Sequence, residues 1–297
     1  MILITKVLIL GVSGMLGSMV FDYLSKNTEL EVYGTVRNPE YLKADVFLFD
    51  AYDVTQLERN EFLDLNPDYI INGIGITKPF SRDNDPEAVK RAIAINSEFP
   101  WKLSEYTKKN NIKVIQIGTD CVYSGKKGLY SESDKHDPLD VYGKSKSLGE
   151  VFDGSALIIR CSIIGPEFKK QKSFLFEWFL NQPQGGTIGG YEHHLWNGIT
   201  TLQFAQLCEK IITSNNYQNL IKKSSVHHYT PNNVVNKFEL MNIFNEVFEK
   251  ELKINQINKP DEKVDRTLKS NYSELESYFE KTEMKTAIEA LKDYMDN

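Results

Sequence analysis

Tyr142 and Lys146, in the run Val141-Tyr142-Gly143-Lys144-Ser145-Lys146, are two residues whose types and spacing could do chemistry together. On a helix, positions i and i+4 share a face, so a phenol and an ammonium would point into one site. A free phenol has a pKa of about 10 and is a poor acid near neutrality. An adjacent ammonium stabilises the phenolate and is expected to lower that value, making proton transfer by Tyr142 practical. The spacing alone is weak, because a chain with 15 tyrosines offers chance matches on exposed helix faces.

Two further features strengthen it. Lys113-Val114-Ile115-Gln116-Ile117-Gly118-Thr119-Asp120 reads as a strand with a hydroxyl residue at its carboxyl end. Thr119 is then placed to hydrogen-bond the carbonyl oxygen that Tyr142 would protonate; the bland alternative is that Thr119, like Asp120, caps a loop. Near the start, Leu8-Ile9-Leu10 runs into Gly11-Val12-Ser13-Gly14-Met15-Leu16-Gly17, spaced Gly-x-x-Gly-x-x-Gly. Gly11 suits a tight turn, Gly14 lets the backbone approach a pyrophosphate, and Gly17 lets the helix pack close to the strand. Backbone around Ser13, Met15 and Leu16, at a helix start with its positive dipole end, would cradle phosphates. Such glycines can also be purely structural. Glycine loop, strand-end threonine and Tyr-x-x-x-Lys in that order, however, point to a nicotinamide-dependent carbonyl reductase.

The second strand reads Val32-Tyr33-Gly34-Thr35-Val36-Arg37. NAD sites commonly place an acid here for the ribose 2′-hydroxyl. No acid lies between Thr35 and Asn38, while Arg37 is placed to meet a 2′-phosphate. NADP(H) is therefore preferred, with NAD(H) possible and a solvated surface charge as the bland reading of Arg37.

The elements that must position these residues are legible as period and punctuation. Strands are expected at Lys6–Leu10, Glu31–Val36, Val46–Phe49, Tyr69–Asn72, Lys113–Ile117 and Ala156–Cys161. Helices are expected at Met15–Lys26, Val54–Asp64 and Pro86–Lys109. Strands separated by helices imply a doubly wound parallel α/β sheet of the Rossmann kind, with ligands at its carboxyl edge. Unbroken apolar runs such as VLIL and YIIN fit a sheet covered on both faces. After Gly165 the pattern changes: a short aromatic helix at Ser173–Leu180, a turn-rich Pro183–Gly190, a helix at Thr201–Ser214, a strand at Val226–Tyr229, a helix at Lys237–Lys250 and a charged helical end from Ser273. This predicts a cofactor domain over 1–165, with a returning segment near 199–225, and a smaller C-terminal substrate lobe within 166–297.

Composition sets the outer bounds. A net charge of −6, with Lys and Arg spread along 297 residues, disfavours nucleic acid and anionic membranes as partners. The apolar start to Leu10 is broken by Lys6 and reads as a buried strand, and no stretch approaches a membrane span. Three cysteines, Cys121, Cys161 and Cys208, argue against a disulfide framework and for a reducing cytoplasm. Adjacent His193 and His194 lack a third spaced ligand and read as surface residues, so no metal is expected. A monomer or a homodimer is expected.

Beyond these local readings, the chain resembles the extended short-chain dehydrogenase/reductases, and within them the dTDP-4-dehydrorhamnose reductase group of nucleotide-sugar 4-ketoreductases. The resemblance rests on GVSGMLGS at 11–18, NPDYIINGIGITKP at 66–79, AINSEFPWKLSE at 94–105, IGTDCVYSGKKGLYSE at 117–132, VYGKSKSLGE at 141–150 and LIIRCSIIGPE at 157–167. It implies Thr119, Tyr142 and Lys146 as a catalytic triad, with Asn96 supporting the lysine. It implies Asp50 and Ala51 near the adenine, Gly73, Ile74 and Gly75 along the cofactor, and Cys161, Ser162 and Ile163 beside the nicotinamide. For the nucleotide-sugar substrate it implies Lys78, Asp120, Cys121, Val122, and Trp196 or Asn197. Cys121 stands where the rhamnose enzymes usually carry an aromatic residue, and Gly73-Ile74-Gly75-Ile76 replaces an alanine-rich stretch. Both features are more like the branch acting on UDP-linked 2-acetamido-4-keto-6-deoxy sugars. Two other readings remain open: an epimerase or dehydratase of the superfamily, and a non-catalytic subunit resembling the regulatory subunit of methionine adenosyltransferase.

Overall fold

In the computed structural model, which describes residues 4–169 and 172–297, seven parallel strands form the central layer. They are β1 (Lys6–Leu10), β2 (Glu31–Val36), β3 (Val46–Leu48), β4 (Tyr69–Asn72), β5 (Lys113–Ile117), β6 (Ala156–Arg160) and, after four strands outside this sheet, β11 (Val226–His228). Their order is β11-β6-β5-β4-β1-β2-β3, so the chain reverses its direction of travel between β1 and β4. A crevice opens at such a point, beyond the carboxyl ends of the two strands.

The unbroken apolar runs have the expected cause. In β1, Val7 and Ile9 enter one core and Leu8 and Leu10 the other, each 0–1% exposed. Helix α1 (Met15–Asn27) packs on the first face beside α7 (Thr201–Thr213), while α8 (Tyr217–Lys223) lies against β6. Phe62 of α2 (Asn60–Leu65) and Phe99 and Leu103 of α4 (Phe99–Lys109) fill the second face. Helix α3 (Pro86–Ala92) continues into α4 through a π-helical turn at Ile93–Glu98, so the single helix expected at Pro86–Lys109 carries a widened turn. The helix expected at Val54–Asp64 is interrupted at Arg59, with a 3-10 stretch at Val54–Glu58 preceding α2.

The second half departs further from the sequence reading. Val226–His228, expected in the lobe, pairs in parallel with β6 and forms the edge of the main sheet. Strand β7 (Ile163–Ile164) pairs with β10 (Ile199–Thr200). The stretch expected to be turns contains β8 (Thr187–Tyr191), which pairs in parallel with β13 (Lys253–Ile257). Its glycines serve close packing: a Cβ on Gly190 would lie 2.7 Å from the Phe238 Cα. Strand β9 (His194–Trp196) sits between β12 (Val235–Asn236) and β14 (Val264–Asp265). Helices α6 (Leu175–Leu180) and α9 (Lys237–Val247) join the first core through Phe176, Phe179 and Phe244. The helical end begins only at α10 (Met284–Asp296), because the preceding chain is tied to a neighbouring loop by Thr282 N–H to Pro231 O at 2.9 Å. No helix among the described residues is long and apolar enough to cross a membrane.

Candidate active site

Helix α5 (Val141–Leu148) carries Tyr142 and Lys146. Its start is fixed from both sides. Asp140 Oδ1 accepts from Gly143 N at 2.9 Å, a cap contributing about 1 kcal/mol. The other oxygen of Asp140 pairs with Lys78 Nζ at 2.7 Å. A side chain at Gly143 would overlap the Cys121 carbonyl, so glycine lets the helix press against the turn that follows β5.

That turn begins at Thr119, whose Oγ1 accepts from Cys121 N at 3.2 Å and so caps Asp120–Val122. Its hydroxyl also donates to Asp120 Oδ1 at 3.3 Å and acts on the nearby Tyr142 phenol. The capping reading of Thr119 holds, and the cap sets its hydroxyl on the side of the turn that α5 presses against. Lys146 Nζ donates to the Ile117 carbonyl at 2.9 Å, at the end of β5. The three residues inferred from sequence thus converge on the carboxyl edge of one strand.

Their electrostatics differ from expectation. Burial pushes the Tyr142 phenol up, Cys121, Asp120 and Asp140 push the same way, and the Thr119 hydrogen bond opposes them. The expected net lowering is reversed because burial is the largest influence on the phenol. Burial also pushes Lys146 itself down to about 8, against the Glu150 carboxylate. Tyr142 therefore holds its proton at neutral pH, the state a proton donor needs.

Asn96, in the π turn and 2% exposed, grips a backbone: Oδ1 accepts from Ile76 N at 2.7 Å and Nδ2 donates to Ile76 O at 2.8 Å. Nδ2 also donates to Ser145 Oγ at 3.0 Å. It supports the catalytic helix through Ser145, one residue before the lysine. Widened π turns recur at functional sites.

On the cofactor side, Gly11 adopts φ +87°, and its N–H and that of Val12 bond to Thr35. A Cβ on Gly17 would overlap the Gly11 carbonyl, so the helix abuts the turn. Helix α1 has neither a side-chain cap nor an acid in its first turn, and the amides of Met15, Leu16 and Gly17 precede the first helical bond, from Ser18 N–H to Gly14 O at 2.9 Å. A dinucleotide phosphate fits this start. Ser13 and Gly14 border it, half-buried, and Leu16 is buried. Gly73 N–H bonds Leu10 O at 3.2 Å across the crevice, and Ile74 packs over Gly11, with Gly75 exposed beyond it. Arg37 is exposed just past β2. Asp50 accepts from Tyr52 N at 3.1 Å in a local turn beside buried Ala51. Cys161 is buried, with half-buried Ser162 and Ile163 after it.

The substrate-side set divides. Asp120 and Cys121 face the site: burial raises the Asp120 carboxyl and pushes the Cys121 thiol up to about 12. Val122 is 0% exposed in a cluster with Tyr123, Tyr130 and Leu268, so its side chain packs rather than contacts a ligand. Asn197 spends both ends of its amide on Leu268, accepting from N at 3.0 Å and donating to O at 2.7 Å. Trp196 is buried beneath Lys237, whose Nζ lies 4.5 Å from the ring centroid. His193, expected at the surface, is 6% exposed because the strands around β9 enclose it.

Two cations escaped the sequence reading. Lys237, at the start of α9, and Arg266, whose Nε donates to Tyr123 O at 2.9 Å, both act on Asp120 and Cys121. Neither forms an ion pair among the described residues. Asn236 and Glu239 form a capping box that places Lys237, a signal readable from sequence. Nothing local marks Arg266.

The sequence pattern of the RmlD substrate binding domain matches residues 5–296. The chain belongs to the RmlD substrate binding domain family. Among relatives of this family member, the probable low-salt glycan biosynthesis reductase Agl14 of Haloferax volcanii is 32% identical over 165 residues, 52% of each chain. The dTDP-4-dehydrorhamnose reductase of Aggregatibacter actinomycetemcomitans is 32% identical over 148 residues, 49% of this chain and 45% of that one. The chain thus spans about half the length of these two relatives. Methionine adenosyltransferase 2 subunit beta of Bos taurus is 23% identical over 241 residues, 79% of this chain and 70% of that one. The dTDP-4-dehydrorhamnose reductase of Bacillus anthracis str. Ames, solved in complex with NADP, shares the fold at TM-score 0.77 and 16% identity over 98% of this chain and 99% of that one.

Proposed function

We propose that this chain is an NADPH-dependent reductase of the C4 ketone of a nucleotide-linked 4-keto-6-deoxyhexose. The observation that carries the reading is the convergence of Thr119, Tyr142 and Lys146 on the end of β5, with Thr119 acting on the phenol and Lys146 anchored at Ile117. Family membership and the named reductase relatives support it.

In this reading the Gly11–Gly17 turn and the start of α1 hold the phosphates, and Arg37 meets the 2′-phosphate. Bound NADPH supplies hydride. Tyr142 gives its proton to the carbonyl oxygen while Thr119 holds the same oxygen. The Lys146 ammonium stabilises the phenolate left behind and holds the nicotinamide ribose. Lys237 and Arg266 are the cations available to the anionic diphosphate of the substrate. Among the described residues, 4–165, with a return through 199–228, form the cofactor layer, and the others form the substrate lobe.

The test is NADPH oxidation at 340 nm against dTDP- and UDP-linked 4-keto-6-deoxy sugars. Loss of absorbance with one of them is expected. Sugar interconversion without net cofactor loss would replace this reading with an epimerase. A second reading, a regulatory subunit, is favoured by the match to the bovine subunit over 79% of this chain. Recovery of a methionine adenosyltransferase catalytic subunit in a pull-down, with no ketoreductase activity, would establish it.

A further inference from the structure

Behind the Tyr142–Lys146 pair lies a buried ionic hub. Arg160, at the end of β6 and 1% exposed, grips Glu150 in bidentate fashion: Nε to Oε1 at 2.8 Å and Nη2 to Oε2 at 2.6 Å. Its other N–H groups reach the Tyr123 hydroxyl at 2.7 Å, His228 Nε2 at 2.9 Å and His136 Nε2 at 2.8 Å. An arginine can only donate, so both imidazoles accept at Nε2 and carry their proton at Nδ1. There they meet the Lys269 carbonyl at 2.8 Å and Ser147 Oγ at 2.7 Å. All five N–H groups of Arg160 have acceptors. One side chain thereby ties together β6, β11, the end of α5, the chain after the Thr119 turn and the lobe segment at Lys269.

Such a site costs much desolvation, and apolar residues could fill the same space. The position of the carboxylate suggests what it does. Tyr142 and Lys146 lie on α5 and Glu150 two residues past its end, where Gly149, at which any side chain would overlap the Asn96 carbonyl, brings the chain against the π turn. The groups acting on Lys146 are the Glu150 carboxylate and the Cys161 thiol. Those facing Glu150 are Arg160 and, at 3.5 Å from Oε2, His136. We propose that Glu150, pinned by Arg160, is a positioning residue whose carboxylate keeps the Lys146 side chain a cation at its station on Ile117. The inference rests on the reading of Tyr142 and Lys146 as the proton-transfer pair.

The experiment titrates Lys146 in the cofactor-free protein by NMR of 13C-labelled lysine, with K146M assigning the signal. The wild-type midpoint is expected near 8. E150Q should lower it by about one pH unit. E150D, which keeps the charge, should stay near wild type. Because E150Q leaves Arg160 uncompensated, E150Q/R160Q, a neutral amide pair, is measured beside it. A folded double variant with a lowered midpoint supports a role for the Glu150 charge. An unmoved midpoint in the folded double variant overturns the proposal and leaves the hub as scaffolding. The failure of the functional reading is distinguishable: a lowered midpoint, with no NADPH turnover by wild type on any sugar, sinks the reductase and not the Glu150–Lys146 coupling.

Discussion

Lys146 Nζ donates to the main-chain carbonyl of Ile117 at 2.9 Å, so the lysine is anchored to the end of β5 before any ligand arrives. Helix and strand are locked at the point where Thr119 leaves the sheet. Burial sets the proton affinity of the phenol one turn earlier. A donor that keeps its proton at neutral pH suits reduction. The charge needed to stabilise its conjugate base waits one helical turn away.

Tyr142→Phe removes the proton donor and leaves the ring. Turnover should fall about 100-fold or more. NADPH affinity, read by fluorescence titration, should change little. A variant with near-wild-type turnover would remove Tyr142 from the mechanism.

Arg37 stands exposed just past β2, free of the core, so Arg37→Ala should leave stability unchanged. It should raise the KM for NADPH about tenfold or more, while the KM for NADH stays put. An unchanged ratio of the two constants would reassign Arg37 as a solvated surface charge.

Lys237 lies over Trp196 and acts on Asp120 across the cleft. Lys237→Ala should raise the KM for the nucleotide sugar about tenfold and leave NADPH affinity intact. Loss of NADPH affinity instead would place Lys237 on the cofactor side.

Asn96→Ala removes three hydrogen bonds and strands the Ile76 N–H, while the Ile76 carbonyl keeps the Ser81 hydroxyl at 3.3 Å. It should cost about 2–4 kcal/mol of stability, seen as a lower urea midpoint. Asn96→Asp keeps the acceptor for Ile76 N–H but sets a buried carboxylate oxygen against the Ile76 carbonyl, and should cost at least as much. A urea midpoint near wild type in either variant would mean that the clamp contributes little.

Much of the first half was legible because its signals are local. Buried parallel strands such as VLIL and YIIN announce themselves by unbroken apolar runs, and the expected bounds of β1, β2, β4 and β5 match those found. The second half was less legible. The glycines of β8 look like turn residues, yet they admit α9 at close range, and a glycine does not show in sequence which of these it serves. Asn197 and Val122 lie in or near motif-like stretches, and only packing shows that one clamps Leu268 and the other fills a core.

The sequence by itself determined the alternation of strands and helices, the glycine turn, and the i, i+4 pairing of Tyr142 with Lys146, because each depends on backbone conformation within a few residues. The tertiary structure alone decided the direction of the Tyr142 shift, the clamp of Asn96 on Ile76, the arrival of Lys237 and Arg266 at Asp120, and the grip of Arg160 on Glu150. Burial and charge at a site are set by atoms that are close in space, and here those atoms come from segments far apart along the chain.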